Sequence, residues 1–212
     1  MKEVFHTLQG EGMQAGRAAV FCRFSGCNLW SGREEHRDSA VCRFCDTDFV
    51  GTDGPGGGVF RTADDLADAV AAAWHRSMGD GGQPYVVCTG GEPLLQLDHE
   101  AVAALHDRGF EVAIETNGTM PVPQGVDWVC VSPKAGADLV VLGGDELKLV
   151  HPQAGAEPER YEQLGFVHFF LQPMDAPDPE ESEANTRCTV DACRARPQWR
   201  LSLQTHKYLG IP

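Results

Sequence analysis

An α/β fold of parallel strands, an incomplete or irregular (β/α) barrel, is predicted by three features of this 212-residue sequence. Strand-like and helix-like segments alternate, some crossovers lack the periodicity of a helix, and nearly every strand runs straight into a polar cluster. Alternation implies parallel pairing with right-handed crossovers. Polar groups at strand C-termini are where parallel barrels and open sheets place their chemistry. The hydrophobic share of 42% is enough for one substantial core, and no break in composition divides it. Residues 1–212 are therefore expected to form a single domain.

Runs rich in β-branched and aromatic residues, bounded by turn formers, predict strands at Ala19–Phe24, Tyr85–Thr89, Val112–Thr116, Trp128–Ser132, Leu147–Val150, Val167–Gln172 and Leu201–Gln204. Between the first two, Thr62-Ala63-Asp64-Asp65 reads as a capping-box-like start. Leu66, Val70 and Trp74 follow on one face, a helix of about four turns. Asp98 caps a second helix bearing Val102 and Leu105, which stops at Gly109, where left-handed backbone carries little strain. Further helices are predicted over Glu157–Leu164 and Asn185–Ala195. The links Asn117–Asp127 and Pro133–Glu146 hold Gly and Pro without a helical period, hence an irregular barrel. Gly51–Gly58 and the acidic, proline-rich Asp175–Glu183 are expected to be mobile surface segments.

A net charge of -14 opposes a nucleic-acid partner, because that affinity rests on clustered Lys and Arg. Small-molecule chemistry is the better expectation. Met1–His6 has no apolar h-region and no apolar run is long enough to cross a bilayer, so a soluble cytoplasmic protein without a membrane partner is expected. Eight cysteines in such a chain favour a metal site over disulfides. Cys22, Cys88 and Cys130 sit in strand-like runs, and Cys188 and Cys193 in a helix, where free thiols pack as small hydrophobes. Cys27, Cys42 and Cys45 remain.

Six strands end in specific clusters: Ser25-Gly26-Cys27, Thr89-Gly90-Gly91-Glu92-Pro93, Glu115-Thr116-Asn117-Gly118, Ser132-Pro133-Lys134, Gln172-Pro173-Met174-Asp175 and Gln204-Thr205-His206-Lys207. Any one of them reads as a turn, but six belong to one face. Fourteen residues separate Cys27 from Cys42, and two separate Cys42 from Cys45. Lengthening a loop from three to fourteen residues costs only about 1.4 kcal/mol in closure entropy. The set suits zinc with His36 as fourth ligand, or a four-iron cluster whose three thiolates leave one iron open. The strand-end clusters favour the open cluster. Backbone donors of Thr89–Glu92 suit the amino-acid end of an iron ligand, and Glu115 or Ser132 a ribose hydroxyl.

Cys27-x14-Cys42-x2-Cys45 with Thr89-Gly-Gly-Glu-Pro93 resembles the radical S-adenosylmethionine superfamily, whose usual spacing is Cys-x3-Cys-x2-Cys. The longer gap, with Leu8-Gln9-Gly10-Glu11-Gly12, Arg23, Cys45-Asp46-Thr47 and Thr205-His206-Lys207-Tyr208, resembles the 7-carboxy-7-deazaguanine synthases over nearly the whole chain. The resemblance implies a modified, incomplete TIM-like (β/α) barrel with an extended cluster-binding loop, a homodimer, and a flavodoxin or ferredoxin as electron donor. It implies a [4Fe-4S] cluster, S-adenosylmethionine and Mg2+. A 5′-deoxyadenosyl radical would take hydrogen from C6 of 6-carboxy-5,6,7,8-tetrahydropterin, and ring contraction with loss of ammonia would give 7-carboxy-7-deazaguanine for queuosine and other deazapurines.

By the same resemblance, Gly91, Ser132, Pro133, Lys134, Gln172, Pro173, Met174 and Asp175 hold S-adenosylmethionine, with Glu92, Glu115 and Asn117 in support. Leu8, Gln9, Gly10, Glu11, Arg23, Thr89 and the Pro212 carboxylate hold the pterin; the Arg23 fork suits its carboxylate. The Thr47 hydroxyl is the Mg2+ ligand, with Asp46 as a weaker candidate. His206 and Lys207 are placed either in the same pocket or on the surface. Two rivals are a glycyl-radical activating enzyme and a zinc-stabilised binding module.

Overall fold

A computed structural model describes residues 1–77 and 82–212. Eight strands form one sheet in chain order: β1 (Glu3–Leu8), β2 (Ala18–Phe24), β3 (Tyr85–Gly90), β4 (Glu111–Thr116), β5 (Trp128–Val131), β6 (Gly143–His151), β7 (Gly165–Pro173) and β8 (Trp199–Leu201). β1 is antiparallel to β2, and every later neighbour is parallel. Helix α1 (Ala63–Ser77) links β2 to β3, α2 (His99–Asp107) links β3 to β4, α3 (Pro179–Ala195) links β7 to β8, and α4 (Thr205–Leu209) follows β8. The sheet does not close among the described residues: β1 and β8 are its edges, which makes a partial barrel.

Period-two alternation divides the barrel into two environments. Val20, Cys22 and Phe24 of β2, Val86 and Cys88 of β3, and Val112 and Ile114 of β4 form one core with Leu66, Val70 and Trp74 of α1 and Val102 and Leu105 of α2. Each large side chain fully buried there contributes about 1.5–3 kcal/mol. Leu147, Leu149, Leu171 and Trp199 continue the packing beyond β5. The alternate residues face the opposite way. Arg23, Thr89, Glu115, Lys148 and Gln172 therefore line one concave wall, with Arg23 beside Thr89 in register.

The caps follow the sequence. Thr62 Oγ1 accepts from the Asp65 N–H at 3.1 Å, Asp98 Oδ1 accepts from the Ala101 N–H at 2.9 Å, and Gly109 has φ +81. Several expectations need correction. β1 has no counterpart among the predicted strands, and α4 has none among the predicted helices. The strand foreseen at Leu201–Gln204 is instead Trp199–Leu201, because Trp199 pairs with Phe169 and packs edge-on against it. Glu157–Leu164 holds only a short 3₁₀ turn at Pro158–Arg160, with Tyr161 turning its ring into the core. Helix α3 begins at Pro179, not Asn185. Asp178 caps it by accepting from the Glu180 N–H, Pro179 opens the first turn, and Glu180 and Glu181 face the positive helix end. Half of the expected acidic loop is thus helix. Cys188 is exposed rather than packed, whereas Cys193 packs against the second core.

Gly51–Gly58 is bonded to the β1 edge: Val4 N–H donates to Pro55 O, and Gly54 and Gly58 N–H donate to Lys2 O and Met1 O. A Cβ at Gly56 would collide with the Val4 carbonyl, so glycine lets this segment cover an open sheet edge. No helix among the described residues is long and apolar enough to cross a membrane.

Candidate active site

A cavity of about 480 Å³ opens at the C-terminal ends of the strands. Its wall includes Cys27, Cys42, Cys45 and Thr47 from the loop after β2, Leu8 at the end of β1, and Gln9, Gly10 and Glu11 from the turn that follows. Arg23, Thr89, Gly91, Glu115, Asn117, Ser132, Lys134, Gln172, Pro173, Met174, Asp175 and Pro212 complete the set of anticipated residues found there. His206 and Lys207 also line it, which settles their placement on the pocket side. His36 does not: its ring meets Ser31 at 2.9 Å on the exposed part of the loop, apart from the cysteines of the zinc reading.

Glu92 and Pro133 do not line the cavity. Glu92 is 0% exposed, and its carboxylate accepts from the Leu94 N–H, Thr116 Oγ1 and the Asn117 N–H at 3.0, 2.7 and 2.8 Å. It ties the end of β3 to the end of β4. Burial pushes its pKa above the usual carboxylate range despite those donors. The Pro133 carbonyl instead accepts from Gln153.

Gly91 solves a second packing problem. The Glu92 N–H donates to Gly26 O at 2.9 Å, and any Cβ at Gly91 would overlap that carbonyl. Glycine is what lets the strand end approach the loop carrying Cys27. Gly91→Ala is expected to lower stability by about 1–3 kcal/mol, the usual size for overpacking, and to reduce iron loading. A wild-type urea midpoint with full iron would contradict this.

The three cysteines share a wall without forming a closed triad. Among the described residues, no group of three His, Cys, Asp or Glu side chains is drawn together tightly enough to hold a metal ion. The mutual influence of the neighbouring Cys42 and Cys45 thiols raises Cys42 and lowers Cys45 to about 6. Burial raises the Cys27 thiol. Lys134 stands near the pair and donates to Ser132 O and Oγ at 2.6 and 2.7 Å; burial lowers its pKa, and the two sulfurs oppose that. Three soft thiol donors on one cavity wall, beside a half-buried cation, fit an iron–sulfur cluster with an open iron.

Lys148 of β6, absent from the anticipated set, is 4% exposed and lines the cavity. Its ammonium lies 2.5 Å from Glu11 and 3.3 Å from Glu115. Gln9 Nε2 donates to Glu115 at 2.9 Å and Gln204 Nε2 to Glu11 at 3.1 Å. The signal in the sequence was the alternation Glu146-Leu147-Lys148-Leu149, polar residues at period two inside a strand rather than after it. Arg23 Nε donates to Glu3 at 2.7 Å, which among the described residues commits one of its five N–H donors. Lys207 bridges Asp46 of the cysteine loop and Asp175 after β7 at 2.7 and 2.5 Å. Thr7 Oγ1 donates to Pro212 O at 2.8 Å, holding the last residue against β1. Asn117 is used within the fold, donating to Asn28 and accepting from Thr119.

Comparison with known proteins fits this geometry. The model of the Radical SAM superfamily matches residues 36–163. A 7-carboxy-7-deazaguanine synthase of Caulobacter vibrioides is 65% identical over 212 residues, covering 100% of this chain and 98% of its own. One from Bordetella pertussis is 64% identical with the same coverage. The crystal structure of QueE from Escherichia coli superposes with a TM-score of 0.65 at 26% identity, over 96% of this chain and 92% of that one.

Proposed function

The chain belongs to the 7-carboxy-7-deazaguanine synthase family of the Radical SAM superfamily, and from that membership we propose how its cavity carries out the family reaction. It converts 6-carboxy-5,6,7,8-tetrahydropterin to 7-carboxy-7-deazaguanine with loss of ammonia, in queuosine biosynthesis. The observation that carries this reading is the single cavity shared by three cysteines, the Gln9–Glu11 turn and Arg23, in a chain so similar to these synthases along its full length. Membership implies a [4Fe-4S] cluster and S-adenosylmethionine, which when bound supply the radical that starts the ring contraction. Neither rival, the glycyl-radical activating enzyme or the zinc-stabilised module, is retained.

Cys27, Cys42 and Cys45 would hold the cluster. Gly91, Ser132, Lys134 and Gln172–Asp175 would hold S-adenosylmethionine, with Asn117 in support, while Glu115, bonded to Gln9 and Lys148, would serve the pterin side instead. Glu92 and Pro133, out of reach of the cavity, would act by shaping it. Leu8, Gln9, Gly10, Glu11, Thr89 and Pro212 would surround the pterin, and the uncommitted Arg23 donors suit its carboxylate. Residues 1–212 would work as one catalytic domain.

Mg2+ on the Thr47 hydroxyl extends the reading: Thr47 lines the cavity beside Cys45, and a hard ion accepts few protein oxygens, completing its shell with substrate and water. Thr47→Ala is expected to lose most of the Mg2+ stimulation while keeping full iron; unchanged Mg2+ dependence would remove Thr47 from the metal site. A homodimer reduced by flavodoxin or ferredoxin in the cytoplasm completes the proposal, supported by eight free cysteines. The net charge of -14 supports the absence of a nucleic-acid partner. The test is anaerobic turnover of the pterin, followed by mass spectrometry.

A further inference from the structure

Lys148 is a charged residue inside a barrel whose partners come from several elements. Its ammonium meets Glu11 Oε2 from the turn after β1 and Glu115 Oε1 from β4. Gln9 also ends on Glu115 Oε1, which leaves Oε2 without a protein donor among the described residues. One cation between two carboxylates leaves a net negative charge on the cavity wall. Both carboxylate side chains keep some exposure, 14% for Glu11 and 22% for Glu115, while Lys148 keeps 5%. A buried charge is tolerated only when paired and hydrogen-bonded, so each member of the trio fixes the others.

We propose that Lys148 is a positioning residue, holding the Glu11 and Glu115 carboxylates aimed into the cavity to receive the N–H donors of the pterin ring. The inference rests on the function proposed above. The 2-amino and ring N–H groups of a pterin present a donor edge, which matches a pair of acceptor-only carboxylates. Burial alone would push Glu11 above its ordinary pKa, and the Lys148 charge reverses this. The other titratable groups facing the network are Glu146 and Cys130 below it, Tyr85 beside Glu115, Lys134, and His206 of α4 near Glu11.

The test uses reconstituted holoenzyme, wild type and Lys148→Met, with equilibrium binding of the pterin read in the absence of reductant. The variant is expected to keep its iron and its affinity for S-adenosylmethionine, and to bind the pterin at least tenfold more weakly. Without the ammonium Glu11 takes up its proton at higher pH, so the acid limb of kcat/KM should move upward by a pH unit or more. Lys148→Gln, which keeps a donor and loses the charge, should show the same pH displacement and serves if Lys148→Met does not load iron. Wild-type pterin affinity and an unmoved acid limb in an iron-loaded variant overturn the proposal alone. Failure of the wild type to turn over the pterin overturns the functional reading, and this inference with it.

Discussion

Glu92→Leu is expected to destabilise the protein by about 3–5 kcal/mol, because three buried donors lose their shared acceptor. The reason is local. Leucine fits an apolar site but accepts nothing, so the Leu94 N–H, the Thr116 hydroxyl and the Asn117 N–H lose their acceptor in a place that is 0% exposed. Each orphaned buried donor costs about 1–3 kcal/mol, and relaxation recovers part of the sum. Against a typical total of about 5–15 kcal/mol, that fraction is large. Urea denaturation reads it as a lower midpoint at unchanged slope. A midpoint equal to wild type would mean that the three donors find other acceptors, and that Glu92 does not tie β3 to β4.

Cys45→Ala is expected to abolish turnover while changing stability by no more than about 1 kcal/mol, as a substitution outside the packed core should. Cys45 is only partly buried and lies on the loop after β2, outside all three core clusters. Cys188→Ala is the control: that thiol is exposed on α3, and its removal should leave iron and activity intact. Iron per protomer, with far-UV circular dichroism, separates a lost cluster from a lost fold. Full iron and activity in Cys45→Ala would contradict the assignment of the ligand.

Much of this was legible in the sequence because period-two alternation and strand-end polar clusters are local signals. Leu66, Val70 and Trp74 announced α1, and the Asp98 cap announced α2, since spacing and hydrogen-bond chemistry there leave little choice. What the sequence concealed is tertiary. β1 is strand because β2 and the Gly51–Gly58 segment bond to its two sides. Lys148 sits within a strand, and only the fold brings it to Glu11 and Glu115, far away in the chain. The motif around Glu92 was readable but its use was not, because a buried carboxylate serving backbone donors has the same letters as one awaiting a ligand. For Pro133, similarly, a place in a strand-end motif did not give a place on the cavity wall.

The most direct test of the central claim is one anaerobic reconstitution. Iron and sulfide are counted, and 6-carboxy-5,6,7,8-tetrahydropterin is then followed by mass spectrometry with S-adenosylmethionine, Mg2+ and a reductant. The predicted result is four irons per chain and formation of 7-carboxy-7-deazaguanine without stoichiometric consumption of S-adenosylmethionine. A protein that binds zinc in place of iron, or a loaded cluster that leaves the pterin unchanged, would contradict it.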